Sequence, residues 1–262
     1  MTTRPYLAQR PVALAHRGGA LYEPNLGIEN TMTAFRNAVA LGYTHLETDV
    51  HATRDGRLVA FHDDRLDRVS DMQGRIGALD WDTVRWARVG HGEHVPLLTE
   101  VLDAFPGIRL NIDLKAPRTA DLLWEIIAAR GLHDSVCVGS FSQREITAFR
   151  KVSAGRVATA AAHAGTILMR FGPRVLSRLL RTPADVFQVP PTHVLGGREV
   201  TVVTGKLVEA AHHFGKQVHV WTVDDAEQMH HFLDLGVDGL VSDRIEVLKE
   251  VLTARGLWTG VS

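Results

Sequence analysis

The chain has 262 residues, of which 45% are hydrophobic and 23% are charged, and its formal net charge is −1. This composition is typical of a globular protein that forms two small domains or one barrel, since a (β/α)8 barrel needs about 250 residues. The near-zero net charge gives no electrostatic case for nucleic-acid binding. The single cysteine, Cys137, excludes an internal disulfide and suits a reducing compartment.

The first fifteen residues contain Arg and Pro but no apolar run long enough for a signal peptide. No later stretch reaches the length of a membrane-spanning helix. We therefore predict a cytoplasmic protein without a transmembrane segment.

Short apolar strands alternate with segments of helical periodicity, which favours an α/β fold. The predicted strands are 12–15, 45–50, 58–62, 109–115, 135–140, 156–161, 184–189, 217–223 and 239–242. The predicted helices are 31–41, 99–105, 119–130, 142–152, 166–181, 201–214, 226–235 and 245–255. Treating 58–62 as an extra return strand leaves eight strand–helix units. The sequence therefore predicts a TIM (β/α)8 barrel in one domain, 1–262, with a small insertion at 64–96 after the second strand.

The second strand carries two acids. Alternation places Glu47 and Asp49 on one face, and the turn at Gly56 sends a return strand back so that His62 lies beside them. Adjacent, partly buried carboxylates repel each other, so a bound cation with oxygen ligands is the leading interpretation. The alternative is a strand whose acids point into water.

Reactive residue types gather at the carboxyl ends of the predicted strands, where TIM barrels place their chemistry. They are His16, Arg17, Glu47, Asp49, His62, Asp113, Lys115 and Trp221. Three carboxylates can share one hard cation, Arg and Lys can hold phosphate oxygens, and two histidines can divide proton transfer. This set predicts cleavage of a phosphate diester.

Seven segments resemble the glycerophosphodiester phosphodiesterase family, in that family's order and across nearly the whole chain. They are AHRGG, ENTMTAF, HLETDVHATRDGRLVAFHDD, VPLLTEVL, LNIDLK, VWTVDD and GVDGLVSDR. The resemblance implies a TIM barrel with a small insertion and a requirement for one divalent cation, Mg²⁺ or Ca²⁺. It also implies hydrolysis of a small glycerophosphodiester to sn-glycerol 3-phosphate and an alcohol.

The resemblance further assigns roles to individual residues. It implies that His16 and His62 are the acid/base pair, and we predict His16 as base and His62 as acid. The implied metal ligands are Glu47, Asp49 and Asp113, the implied phosphate ligands are Arg17 and Lys115, and Trp221 is the implied wall for the glycerol moiety. In the family, a neighbouring glycerol hydroxyl attacks phosphorus and water then opens the cyclic phosphate. The chain departs from the family in having Asp113 where Glu is usual, and in a longer loop at 19–28.

Several residues keep two interpretations. Glu29 and Asn30 either start a helix or brace Arg17, whereas Asp243 is expected to cap the last helix. The arginines within 167–181 indicate either the solvated face of a barrel helix, which we favour, or a contact with a membrane surface.

The alternative functions are a lysophospholipase D on the same scaffold and a non-catalytic binding barrel. The alcohol head group and the oligomeric state stay open.

Overall fold

The structure is a computed structural model that describes residues 4–161 and 182–260. Its strands are β1 (Val12–Ala15), β2 (His45–Ala52), β3 (Leu58–Ala60), β4 (Arg88–Val89), β5 (Glu93–His94), β6 (Arg109–Leu114), β7 (Val136–Gly139), β8 (Ala158–Thr159), β9 (Val186–Val189), β10 (Thr192–Leu195), β11 (Arg198–Thr201), β12 (Gln217–Val220) and β13 (Gly239–Ser242). Its α-helices are α1 (Met32–Ala40), α2 (Trp81–Val84), α3 (Leu98–Ala104), α4 (Thr119–Arg130), α5 (Gln143–Val152), α6 (Gly205–His213), α7 (Ala226–Asp234) and α8 (Ile245–Ala254). Short 3-10 turns lie at Pro5–Leu7, His16–Gly18, Glu23–Asn25, Leu66–Arg68 and Ile76–Ala78.

Within the described ranges, eight parallel strands form the barrel in the order β8-β7-β6-β2-β1-β13-β12-β9. A parallel bridge between Ala160 and Val186 joins the two outermost strands. The amide of Ala161 donates to the Val186 carbonyl at 2.8 Å beside that bridge, so the sheet closes on itself. The predicted TIM barrel is confirmed, and β3 pairs antiparallel with β2 as the expected return strand.

Side-chain alternation along the strands separates two environments. On β2, Leu46 and Val50 join the main hydrophobic core. Glu47 and Asp49 instead line a cavity at the carboxyl end of the barrel. This is the alternation predicted for β2, and it directs the polar residues toward the barrel axis.

The insertion at 64–96 has a hydrophobic cluster of its own. Leu66, Ile76 and Val84 are fully buried in it, together with Val59 of β3. The expected turns and short helical pieces are present, but β4 and β5 form a small antiparallel hairpin that was not predicted. Gly90 in this hairpin abuts the carbonyl of Gly27, so the insertion lies against the loop that follows β1.

The predicted helix 201–214 was wrong at its amino end. Residues 192–201 form the antiparallel hairpin of β10 and β11, and α6 begins only at Gly205, capped by the Thr204 side chain. Gly196 and Gly197 both have positive φ, of 57° and 78°, which is the geometry of a tight two-residue turn. The Gly-Gly pair was the missed sequence signal.

The helix predicted at 166–181 lies outside the described residues, as do the arginines within 167–181. No helix in the described ranges is both long enough and apolar enough to cross a membrane.

Candidate active site

A cavity of about 170 Å³ opens at the carboxyl ends of the barrel strands. Every residue predicted to act in catalysis, phosphate binding, metal binding or glycerol binding lines it. They are His16, Arg17, Glu47, Asp49, His62, Asp113, Lys115 and Trp221. The strand ends thus bring together residues that lie as far as about two hundred positions apart in the sequence, as expected for a TIM barrel.

The turn after β1 directs two of these residues into the cavity. Arg17 adopts a left-handed backbone conformation with φ of 51°, which a non-glycine residue rarely takes. Gly18 packs against α1, where an added Cβ would approach the Ala34 Cβ to 2.9 Å. The chain therefore turns sharply, and the Arg17 amide donates to Glu47 Oε2 at 3.1 Å.

His16 is held between two carboxylates. Its Nδ1 lies 2.8 Å from Asp243 Oδ1, and its Nε2 lies 3.8 Å from Glu47 Oε2. Burial lowers the pKa of His16, but the charge of Glu47 and the hydrogen bond with Asp243 outweigh it, so the pKa is raised overall.

The prediction that Asp243 caps the last helix was wrong. Arg244 occupies the N-cap position of α8 and makes no side-chain cap bond. Asp224 instead accepts hydrogen bonds from the backbone amides of Asp243 and Arg244. Because Asp224 satisfies these donors, the Asp243 carboxylate is available to His16.

His62, which also lines the cavity, has a similar arrangement. Its Nδ1 lies 2.7 Å from Asp63 Oδ1. Hydrogen bonds from Arg68 lower the pKa of Asp63 to about 2, so this carboxylate stays charged. Since a carboxylate engages Nδ1 in both histidines, Nε2 is the ring atom that each can offer to a substrate.

Asp49 and Asp113 are register partners on neighbouring strands. Lys115 Nζ lies 2.9 Å from Asp49 Oδ1 and 2.7 Å from Asp113 Oδ2. Burial raises the pKa of Asp49, but the charges of Lys115 and Arg17 outweigh it and lower the pKa overall. At Asp113 burial prevails over Lys115, and the pKa is raised.

Glu47 is the least compensated carboxylate in the cavity. Burial and the charge of Asp49 raise its pKa to about 7, although the charges of His16 and Lys115 oppose that rise. Three carboxylates, Glu47, Asp49 and Asp113, thus face only two permanent cations along this wall, Arg17 and Lys115. An additional positive charge would relieve the repulsion.

Within residues 4–161 and 182–260, no three His, Cys, Asp or Glu side chains form a ready-made metal site. The Lys115 ammonium lies between two of the predicted ligands. The three carboxylates nevertheless fit a hard divalent cation. They offer only oxygen ligands, and Arg17 and Lys115 leave one of their three negative charges without a permanent positive partner.

Helix α1 begins at Met32, and the Thr31 hydroxyl caps it by accepting from the Ala34 amide. Neither Glu29 nor Asn30 therefore caps this helix. The alternative interpretation, that these two residues support the site, agrees with their contacts.

Glu29 Oε1 accepts a hydrogen bond from Arg17 Nη1 at 3.1 Å. Asn30 Nδ2 donates to Asp49 Oδ2 at 3.1 Å, and its Oδ1 accepts from the Thr48 hydroxyl at 2.7 Å. Glu29 thus braces Arg17, whereas Asn30 fixes the orientation of a carboxylate.

Two aromatic side chains form part of the cavity rim. The rings of Phe141 and Trp221 meet edge to face at a centroid distance of 5.5 Å. The Lys115 ammonium lies 5.2 Å from the Phe141 ring centroid. Gln188, which also lines the cavity, donates to Asn111 at 2.7 Å. Phe141 and Gln188 had no assigned role, although Phe141 stands at a predicted strand end.

Comparison with known proteins identifies the family of the chain. Residues 16–247 match the glycerophosphoryl diester phosphodiesterase family. A Mycobacterium tuberculosis protein described as a probable glycerophosphodiester phosphodiesterase 2 is 39% identical over 254 residues, which cover 95% of this chain and 93% of that protein.

Solved structures show the same fold. A putative glycerophosphoryl diester phosphodiesterase from Silicibacter pomeroyi superposes with a TM-score of 0.79 at 21% identity, covering 97% of this chain and 98% of that one. An Oleispira antarctica phosphodiesterase, solved in complex with the product sn-glycerol-3-phosphate, has a TM-score of 0.75 at 20% identity and covers 93% and 97%. By its sequence match, the chain belongs to the glycerophosphoryl diester phosphodiesterase family of hydrolases.

Proposed function

We propose that this protein hydrolyses small glycerophosphodiesters to sn-glycerol 3-phosphate and an alcohol, with one divalent cation and two histidines. The observation that carries the proposal is the meeting of two carboxylate-held histidines, two permanent cations and three carboxylates in one cavity. The Oleispira antarctica relative, solved with sn-glycerol-3-phosphate as its product, supports the same choice of product.

The protein's own residues divide the reaction between them. Arg17 and Lys115 bind the phosphate oxygens, Arg17 through its planar fork and Lys115 as a point charge. His16 takes the proton from a glycerol hydroxyl as that oxygen attacks phosphorus, and His62 protonates the departing alkoxide. This attack is intramolecular, so the nucleophile is present at a high effective concentration.

The second step opens the cyclic phosphate. His62, now neutral, removes a proton from the attacking water, and His16 returns its proton to the glycerol oxygen as the ring opens. Trp221 forms a wall against the glycerol moiety. Both histidines end in their starting protonation states, so the cycle balances.

Glu47, Asp49 and Asp113 would hold the cation. When bound, Mg²⁺ or Ca²⁺ supplies positive charge to a non-bridging phosphate oxygen and assists ionisation of the nucleophile. Asp113 is shorter than the Glu usual in the family, which bears on the choice of ion. Asn30 and Glu29 orient Asp49 and Arg17 from behind the cavity wall.

The decisive experiment is turnover of glycerophosphocholine by the purified protein with and without EDTA. We expect release of glycerol 3-phosphate that EDTA abolishes and that added Mg²⁺ or Ca²⁺ restores. Circular dichroism with EDTA serves as a control, because loss of activity must occur in a folded protein.

Two outcomes would point elsewhere. Choline release from lysophosphatidylcholine alone would favour the lysophospholipase D alternative. No turnover of either substrate with any divalent metal would favour a non-catalytic barrel.

A further inference from the structure

Arg68, in the insertion at 64–96, does not line the cavity but contacts Asp63 and Glu29, two carboxylates that each hold a residue of the cavity. It lies in the 3-10 turn Leu66–Arg68. Leu66 is fully buried in the insertion's own cluster, and its carbonyl accepts a hydrogen bond from the Ser70 hydroxyl at 2.8 Å. A small core therefore fixes the backbone from which the Arg68 side chain extends.

The guanidinium of Arg68 bridges two carboxylates, with two hydrogen bonds to each. Nε and Nη2 donate to the oxygens of Asp63 at 2.6 and 3.1 Å. Nη2 and Nη1 donate to the oxygens of Glu29 at 2.6 and 3.3 Å. Two bidentate contacts from one planar fork are available to arginine but not to lysine.

Each carboxylate shares one of these oxygens with a residue of the cavity. Asp63 Oδ1 also contacts Nδ1 of His62 at 2.7 Å. Glu29 Oε1 also accepts from Nη1 of Arg17 at 3.1 Å. One side chain outside the cavity is thereby linked to a proton-transfer residue and to a phosphate-binding residue.

We propose that Arg68 is a positioning residue. It orients His62 through Asp63 and Arg17 through Glu29, so that both side chains can act on the same phosphodiester. This inference rests on the proposed function of the site. Without Arg68, two carboxylates that now share one cation would repel each other and turn away. His62 and Arg17 would then lose their orientation together, although neither contacts Arg68.

The first test compares the steady-state kinetics of Arg68→Ala and Arg68→Lys with glycerophosphocholine at saturating metal. For Arg68→Ala we expect kcat to fall about 10- to 100-fold, the range typical of residues that orient active-site groups, and KM to rise several-fold. Arg68→Lys keeps the positive charge but not the two bidentate contacts, so its changes in kcat and KM should be smaller than those of Arg68→Ala.

Arg65→Ala is the matched control. Arg65 is the N-cap residue of the same turn, and its exposed ion pair is with Asp67, neither of which lines the cavity. We expect its kinetics to stay within about twofold of the wild type. Equal kinetics in Arg68→Ala and Arg65→Ala would overturn the proposal.

Variants of the two carboxylates separate the effect of Arg68 on His62 from its effect on Arg17. Asp63→Asn should act mainly on kcat because it releases His62, whereas Glu29→Gln should act mainly on KM because it releases Arg17. Adding Arg68→Ala to Asp63→Asn should reduce kcat less than Arg68→Ala does alone. Fully additive losses would contradict coupling through Asp63.

A readout that needs no turnover separates this inference from the proposed function. Ring-nitrogen NMR of the histidine-labelled full-length protein, assigned with His62→Gln, reports the proton position on His62. At a pH high enough to leave His62 neutral, we expect one form with the proton on Nδ1 in the wild type and a mixture of the two neutral forms in Arg68→Ala. Unchanged His62 signals would overturn the proposal even in an inactive protein, and Arg68→Lys provides the same comparison where the alanine variant does not fold.

Discussion

The two cavity histidines have the same anchor but different surroundings. Asp243 holds His16 and Asp63 holds His62, in each case through Nδ1. His16 also faces Glu47, whereas Asp63 is shared with a guanidinium. Two imidazoles in distinct environments suit distinct proton-transfer roles, because general acid and general base must differ in their resting protonation state.

We expect His16→Ala and His62→Ala each to lower kcat at least about a hundredfold on glycerophosphocholine, because each removes one proton transfer. A 4-nitrophenyl ester of glycerol 3-phosphate separates the roles, since nitrophenolate departs without protonation. In its first turnover His62→Ala should release nitrophenolate at close to the wild-type rate, because the role of His62 in opening the cyclic phosphate comes after that release, and His16→Ala should not. Stopped-flow absorbance of nitrophenolate measures both rates.

The opposite pattern, with His16→Ala rescued, would exchange the two roles. Near-normal activity of either variant on glycerophosphocholine would remove that histidine from the mechanism. His91→Gln, at an exposed position, is the matched control and should behave as the wild type.

Eight of the residues that line the cavity could be predicted from sequence, but most of their partners could not. Strand alternation and strand ends identified Glu47 and Lys115, because those rules act within a few residues. Asp243 contacts a histidine 227 positions away, and the adjacent helix start gave it a plausible local role. Such a contact depends on barrel closure, which no local pattern encodes.

Whole elements also divide into those that local sequence patterns predict and those that they do not. The barrel strand β13 was predicted at 239–242 and is observed there, because a short apolar run between turn signals suffices. The hairpin of β10 and β11 was missed because no element was predicted between 190 and 200, and only its last residue, Thr201, fell within the predicted helix. Weak propensities at element boundaries decide such cases, and tertiary pairing outweighs them.

The insertion is an element with its own core, so it can open without the barrel. Ile76 is fully buried in the insertion cluster, whereas Ile112 is fully buried in the main core. We expect Ile76→Ala, at a cost of about 2–5 kcal/mol, to speed amide exchange mainly within 64–96. Hydrogen exchange followed by mass spectrometry locates the affected peptides.

Ile112→Ala is the comparison, since a cavity at the centre of β6 should speed exchange in the barrel strands. Equal acceleration in both regions by Ile76→Ala would mean that the insertion and barrel unfold as one unit. That result would also remove the structural basis for treating Arg68 as anchored by a separate core.

At the scale of the molecule, the barrel interior is polar at its carboxyl end and carries buried histidines toward its amino end. His45 and His219 are fully buried. Burial and the charge of Arg109 lower the pKa of His45 to about 3, and burial and His45 lower that of His219 to about 3. Tyr6 and Leu7 pack with residues of β7, β8 and β9 and cover this end.

These histidines make stability depend on pH. Between pH 6.5 and about 3 the unfolded chain binds protons that the folded protein does not, so the free energy of unfolding falls as the pH falls. The cost is about 2 kcal/mol for each histidine at about pH 5. Glu47 acts in the opposite direction between pH 7 and 4.5, because its pKa of about 7 lets the folded protein bind the proton.

Because these contributions oppose each other, the informative quantity is the difference between wild type and His219→Gln. Urea unfolding at about pH 8 and about pH 5 should show a smaller acid-induced loss in the variant, by about 2 kcal/mol. His91→Gln, which is exposed, should lose as much as the wild type. If the wild type and His219→Gln lose equal stability, His219 takes up its proton inside the folded barrel, and burial there does not hold it neutral.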